Sequence, residues 1–211
     1  MQKLILVRHG EAEHLTGNRL TGGWTESSLT DRGRFQAKKT GSRLVKLLAR
    51  KSFAFLASDL SRAGETARII GEVIGAEPVL TKRLRELNNG IAANSTLEEA
   101  EKLMNPISKP LLDWVPYPQA ESWRQLHQRV CGMMDELASN GDQMALIVSH
   151  GGVMVSITHW WLGLPDYFVE KTSFDFDPCS LTYLRVNKWN ERTISRLNDT
   201  SHLNNSDYYQ L

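Results

Sequence analysis

The chain has 211 residues, 41% of them hydrophobic and 23% charged, with a formal net charge of +1. That length suits one large or two small domains and can bury a sizeable core. The near-neutral balance excludes a general nucleic-acid or membrane surface, because no bulk basic field exists to collect polyanions, and any anion must be held by a local cluster.

The first element is the apolar run at residues 4–7, which reads as a buried strand feeding Arg8-His9-Gly10-Glu11. A permanently charged guanidinium beside an imidazole, on a turn that glycine can tighten, suits binding and attack on a phosphoryl group. A lone tetrapeptide of this kind is only moderately specific. Residues 30–50 follow as a helix, with apolar positions at Phe35, Ala37, Leu44, Leu47 and Leu48 and a solvated face of Lys38, Lys39, Lys46, Arg50 and Lys51. Residues 53–57 form a second strand, residues 59–74 a helix stopped at Gly75, and residues 78–80 a short strand.

Residues 105–123 break the regularity: Pro106, Pro110, Pro116 and Pro118 interrupt any helix, while Trp114, Tyr117 and Trp123 supply apolar faces. This segment reads as a loop pinned by its aromatics, as a cap over a pocket, or as both. Residues 120–137 form a third long helix, 145–148 a third buried strand and 151–162 a fourth helix. Residues 181–186 and 193–197 close the chain as a hairpin turned at residues 187–191. Strand–helix alternation implies an α/β, three-layer sandwich, with a mostly parallel central sheet flanked by helices plus a small cap segment. The expectation is a single domain over residues 1–211 with the cap inserted at about residues 88–123. The polar stretch 204–211 is expected to be a mobile tail.

Cys131 and Cys179 have no metal-ligand spacing and form no disulfide framework. Cys131 falls in a helical apolar pattern and is expected to be a buried free thiol. The run at 4–7 is too short for a secretion signal, and the stretch 144–164 is interrupted by His150, Gly151, Gly152 and His159, which argues against a membrane span. A cytoplasmic protein is expected.

Three buried strands end in chemistry. Arg8 and His9 follow the first, Arg62 in Ser58-Asp59-Leu60-Ser61-Arg62-Ala63 follows the second, and His150 in Ser149-His150-Gly151-Gly152 follows the third. Neighbouring parallel strands would gather these side chains at one sheet edge, where two guanidiniums and a second imidazole suit a tetrahedral dianion. Gly151 opens a helix whose free N–H groups add anion donors. His9 can attack phosphorus if its other ring nitrogen keeps its proton, and Arg8, Arg62 and His150 would meet the spreading charge. The leaving oxygen needs a proton, for which Glu86 in Leu84-Arg85-Glu86-Leu87 is the best candidate. His159 reads as a core-edge histidine, and His127 and His14 as solvated surface positions that could line a pocket. No His/Asp/Glu cluster has metal-ligand spacing, so neither metal nor other cofactor is called for.

These motifs, in this order, resemble the phosphoglycerate-mutase-like branch of the histidine phosphatase superfamily, and the likeness covers nearly the whole chain. It rests on the segments around Arg8-His9-Gly10, Leu20-Thr21-Gly22, Leu29-Thr30-Asp31-Arg32-Gly33, Ser58 to Ala63 with Thr66-Ala67, Arg85-Glu86 with Gly90, and Ser149 to Gly152. The endings Pro178-Cys179-Ser180-Leu181 and Leu197 to Leu203 are similar too. The resemblance implies a phosphorylated nucleophile at His9, a phosphate pocket of Arg8, Arg62 and His150, and Glu86 as proton donor and later acceptor. It also implies that Thr21 and Gly22 present backbone groups to substrate. Two positions depart from the family pattern. Leu15 stands where many members carry a phosphate-donating Asn, with Asn18 or His14 as substitutes, and residues 88–93 replace the usual aromatic or acidic residues.

The reading is a phosphomonoester hydrolase acting on a small-molecule substrate, without nucleic-acid or membrane partners. The alternatives are a cofactor-dependent phosphoglycerate mutase and a catalytically silent binding module of the same fold. A mutase needs a second cationic cluster, yet between Asn88 and Ala120 the sequence offers only Lys102 and Lys109.

Overall fold

The computed structural model describes residues 1–16, 20–49 and 51–203. Strands β1 (Lys3–Arg8), β2 (Ala54–Ser58), β3 (Val79–Thr81), β4 (Met144–Ser149), β5 (Leu181–Val186) and β6 (Arg192–Asp199) form one sheet in the order β3-β2-β4-β1-β5-β6. The pairs β3/β2, β2/β4 and β4/β1 are parallel, whereas β1/β5 and β5/β6 are antiparallel. The expected three-layer α/β architecture is therefore observed, with the terminal hairpin as its antiparallel edge.

Alternation along β1 explains the layers. Leu4 and Leu6 pack against α4 (Trp123–Ser139) and α5 (Gly151–Leu162) through Leu126, Val130, Met134, Val153 and Trp161. Ile5 and Val7 face α1 (Asp31–Leu48) and α2 (Ser61–Ile74) through Leu44, Ala67 and Ile70. Every residue of β4 is buried, as a central strand covered on both faces must be. The short α3 (Leu97–Leu103) lies within residues 88–123, the stretch expected to form a cap.

Several boundaries differ from expectation, and the caps explain them. Helix α4 starts at Trp123 rather than at residue 120, because Ser122 and Gln125 form a reciprocal capping box. Helix α2 starts at Ser61 because Asp59 is committed to Arg85 at 2.7 Å through both carboxylate oxygens. The cap holds a helix the reading did not assign: α3 is capped by Thr96 and Glu99 in the same reciprocal way. Trp114 is pinned as expected, its indole N–H donating to Pro106 O. Arg50 and the expected tail at 204–211 lie outside the described residues.

Three histidine and cysteine expectations need correction. His14 and His127 are not solvated; only 4% and 6% of their surfaces are exposed. The turn at Glu13–Leu15 folds inward against Ser27, and α4 packs His127 toward His159. Cys131 is half-buried rather than buried, with Sγ 3.4 Å from His127 Nε2. His159 is fully buried, as a core histidine, and Nε2 contacts Thr172 Oγ1 at 3.1 Å. Among the described residues, no helix is long and apolar enough to cross a membrane.

Candidate active site

Register places the site. Arg8 pairs with Ser149 and Ala57 with Val148, so β1, β4 and β2 end at one level, and the three expected strand ends converge. His9 is 2% exposed, and its ring centroid lies 5.1 Å from that of His150 and 5.9 Å from that of His14. His9 Nδ1 donates to Gly10 O at 2.8 Å, since a carbonyl can only accept. The lone pair is thereby placed on Nε2, which accepts from Arg62 Nε at 3.2 Å. Burial, reinforced by the charges of Arg62 and Arg8, pushes the His9 imidazole well below its ordinary value, so it is neutral at physiological pH.

Each guanidinium is aimed by backbone carbonyls. Arg62, 1% exposed, donates through its terminal nitrogens to Thr25 O at 2.9 Å and Gly23 O at 2.7 Å. Its pKa is pushed down to about 10, chiefly by burial and further by Arg8. Arg8 donates to Phe176 O at 2.6 Å, while its Nε is buried without a partner among the described residues. His150 is fixed through Nε2 to Ser58 Oγ at 2.8 Å, and its Nδ1 is likewise buried and unpartnered. Burial, then the charge of Arg62, lowers its pKa well below the ordinary value. Two buried polar atoms left unsatisfied beside a neutral imidazole are what an anion-binding pocket presents.

Glu86 joins this cluster. One carboxylate oxygen accepts from Gly152 N at 3.0 Å at the start of α5, and the other from Leu87 N at 2.9 Å. Its charge acts on both Arg8 and Arg62, opposing the lowering of their pKa values by burial. A Cβ on Gly152 would sit 2.5 Å from Glu86 Oε1 and 3.2 Å from Trp123 Cη2, so glycine is what lets the carboxylate approach. Behind it, Trp24 Nε1 and Arg129 donate to Glu86 O at 2.8 and 3.4 Å.

Thr21 and Gly22 line a cleft of about 320 Å³ that borders Glu86, together with Leu87, Leu97, Tyr117 and Trp123. The Thr21 hydroxyl is committed to Ala92 O at 2.6 Å. Asn18 lies outside the described residues. Leu15 is partly exposed, whereas His14 is the side chain that this turn delivers beside His9. Burial pushes the His14 pKa down to about 4, with Arg62 and Arg8 adding to the effect.

Sequence reasoning did not assign roles to the aiming groups: Ser58, the carbonyls of Gly23, Thr25 and Phe176, and Trp24 and Arg129. Thr66 was another, accepting from Gly10 N at 3.0 Å and donating to Arg62 O at 2.7 Å. Ser58 and Thr66 sit inside motifs that point to the site; backbone carbonyls leave no trace in composition. Glu11, given no role from sequence, ties the loop after β1 to α1 by accepting from Thr30 Oγ1 at 2.8 Å and Arg32 at 3.1 Å. Among the described residues, no group of three His, Cys, Asp or Glu side chains is arranged to hold a metal ion.

The six-strand α/β sheet gathers two histidines and two arginines at its carboxyl edge, and the comparisons give the family. The chain belongs to the histidine phosphatase superfamily, branch 1, whose model matches residues 4–200. It is 37% identical over 172 residues to a probable phosphoglycerate mutase GpmB of Erwinia tasmaniensis, covering 78% of this chain and 77% of that protein. With the Proteus mirabilis protein of the same name it shares 32% identity over 218 residues, covering 96% and 95%. The solved α-ribazole phosphatase of Shigella flexneri superposes with a TM-score of 0.74 at 26% identity, covering 93% of this chain and 96% of that one. A mycobacterial glucosyl-3-phosphoglycerate phosphatase shares the fold, with a TM-score of 0.77 at 23% identity over 95% of this chain and all of that one.

Proposed function

We propose that the chain is a phosphomonoester hydrolase in which His9 is the nucleophile. Nε2 attacks phosphorus, forming an N–P bond as the P–O bond to the leaving alkoxide breaks. Glu86, having taken a proton from the incoming phosphomonoester monoanion, gives it to that oxygen, and the alcohol departs. Arg8, Arg62 and His150 hold the equatorial oxygens, assisted by the N-terminus of α5 at Gly151. Water then attacks phosphorus, Glu86 takes back a proton, and the N–P bond breaks to release inorganic phosphate and neutral His9. His14 stands where the Leu15 departure removes a donor. The whole chain, residues 1–211 with the cap at about residues 88–123, acts as one cytoplasmic unit in this reading, and no metal enters either step.

The observation that carries hydrolysis over mutase action is the cleft beside Glu86, whose described lining has no cationic side chain. A phosphoglycerate carboxylate would need one. Three guanidiniums from adjoining segments are engaged elsewhere: Arg85 with Asp59, Arg124 with Asp113 and Asp166, and Arg129 with Glu121. The GpmB-named relatives favour the mutase as the second reading. The test is incubation with 3-phosphoglycerate plus 2,3-bisphosphoglycerate, and separately with a panel of phosphomonoesters. His9-dependent release of inorganic phosphate from the panel is expected; rapid isomerisation without net release would replace hydrolase by mutase.

A further inference from the structure

Trp123 is shared by two cavities. It borders the cleft at Glu86 and also helps enclose a second space of about 310 Å³ lined by Leu111, Leu112, Trp114, Val155 and Val169. Val155, in the wall of the second cavity, lies one turn after Gly151 and Gly152 on α5, where Gly152 N donates to Glu86. Its walls are aliphatic and aromatic. The one carboxylate in its described lining, Glu170, accepts from Leu112 N at 3.1 Å. Polar groups along the first cleft are committed internally. Asn89 accepts from Trp24 N at 2.9 Å and donates to Thr21 Oγ1 and Gly22 O, both at 3.0 Å.

We infer that the substrates are phosphomonoesters of uncharged alcohols with an extended apolar portion, whose distal atoms pass Trp123 into the cavity between the cap and α5. This rests on the phosphatase reading above and adds the chemistry of the leaving group. Each cavity is at the lower end of the range that holds a small ligand, so a short alcohol fills only the first. A longer one buries apolar surface in the second, while an anionic distal end meets Glu170 there without a compensating cation among the described lining.

The test is kcat/KM across straight-chain alkyl phosphates from ethyl to decyl, kept below their micellar concentrations, with 3-phosphoglycerate as the anionic comparator. The expected result is a rise of about two- to fourfold per methylene once the chain passes Trp123, then a plateau, with 3-phosphoglycerate below the long alkyl esters. Ser173→Trp, filling the cavity from an exposed lip, should flatten the dependence on length, read as the ratio of decyl to ethyl phosphate within the same variant. Leu111→Asp, at a position 44% exposed, tests the same wall by charge and should lower the same ratio if Ser173→Trp does not fold. His9-dependent hydrolysis with no dependence on length, or with 3-phosphoglycerate preferred, overturns the inference and leaves the hydrolase standing. Hydrolysis of none of these esters by the folded protein overturns both.

Discussion

Replacing Gly152 by alanine tests the proposed role of Glu86 as proton donor by moving its carboxylate. The new methyl would lie 2.5 Å from Glu86 Oε1 and 3.3 Å from its Cδ, while Trp123 Cη2 at 3.2 Å limits escape on the other side. The carboxylate is the free end of a flexible side chain, so it gives way by about 0.5–1 Å to restore ordinary contact. A misplacement near 1 Å costs on the order of 100-fold in rate, or about 2.7 kcal/mol of barrier. Stability moves the other way: alanine within a helix is favoured over glycine by about 1 kcal/mol, so the melting midpoint should hold or rise. The assay is kcat/KM, which reports the steps through P–O cleavage, for an alkyl phosphate and for p-nitrophenyl phosphate. An alkoxide needs the proton and p-nitrophenolate scarcely does, so the alkyl ester should lose about 30- to 100-fold and the aryl ester far less. Equal losses on both, or no loss on either, would refute the assignment of Glu86 as the acid.

His9→Ala should abolish turnover of both esters, and an acid-labile phosphoenzyme trapped from the natural sequence should be missing from this variant. His14→Ala should raise KM more than it lowers kcat, by about tenfold, if that ring supplies the donor that Leu15 does not; an unchanged KM would remove His14 from the pocket. Ser58→Ala frees the ring of His150 and should weaken inhibition by inorganic phosphate several-fold while leaving the melting midpoint within a few degrees. All six histidines are held below their ordinary pKa in the folded protein, mainly by burial. The unfolded chain therefore binds more protons beneath about pH 6.5, and stability present above that value is lost as pH falls, for His14 down to about 4. Denaturant midpoints should decline steadily from about pH 7 to about pH 4.5, and a flat profile would contradict the buried neutral state of these rings.

The sheet and the side chains of Arg8, His9, Arg62 and His150 were legible because each central strand is an apolar run with charged or imidazole residues just beyond it. That pattern survives tertiary packing. Glu86, by contrast, stood out through the family resemblance. Helix starts were less so: residues 59 and 120 look helical by composition, but Asp59 is drawn to Arg85 and Ser122 takes the cap. The capping box Thr96…Glu99 was readable and would have revealed α3. Burial of His14 and His127 was not, since a histidine's exposure depends on what packs over it. The aiming carbonyls at Gly23, Thr25 and Phe176 were beyond reach for another reason: any residue carries a carbonyl, and only the fold decides which ones face a guanidinium.

Strand β1 is the first strand in the chain yet lies between β4 and β5, so Lys3 pairs with Met144 on one side and Arg185 on the other. During synthesis from the N-terminus, the strand that leads to His9 has no neighbours until most of the protein exists. Until then His9 is an ordinary solvated histidine, and Arg8 lacks the Phe176 carbonyl that aims it. In the proposed mechanism, reactivity is therefore acquired only when the sheet closes.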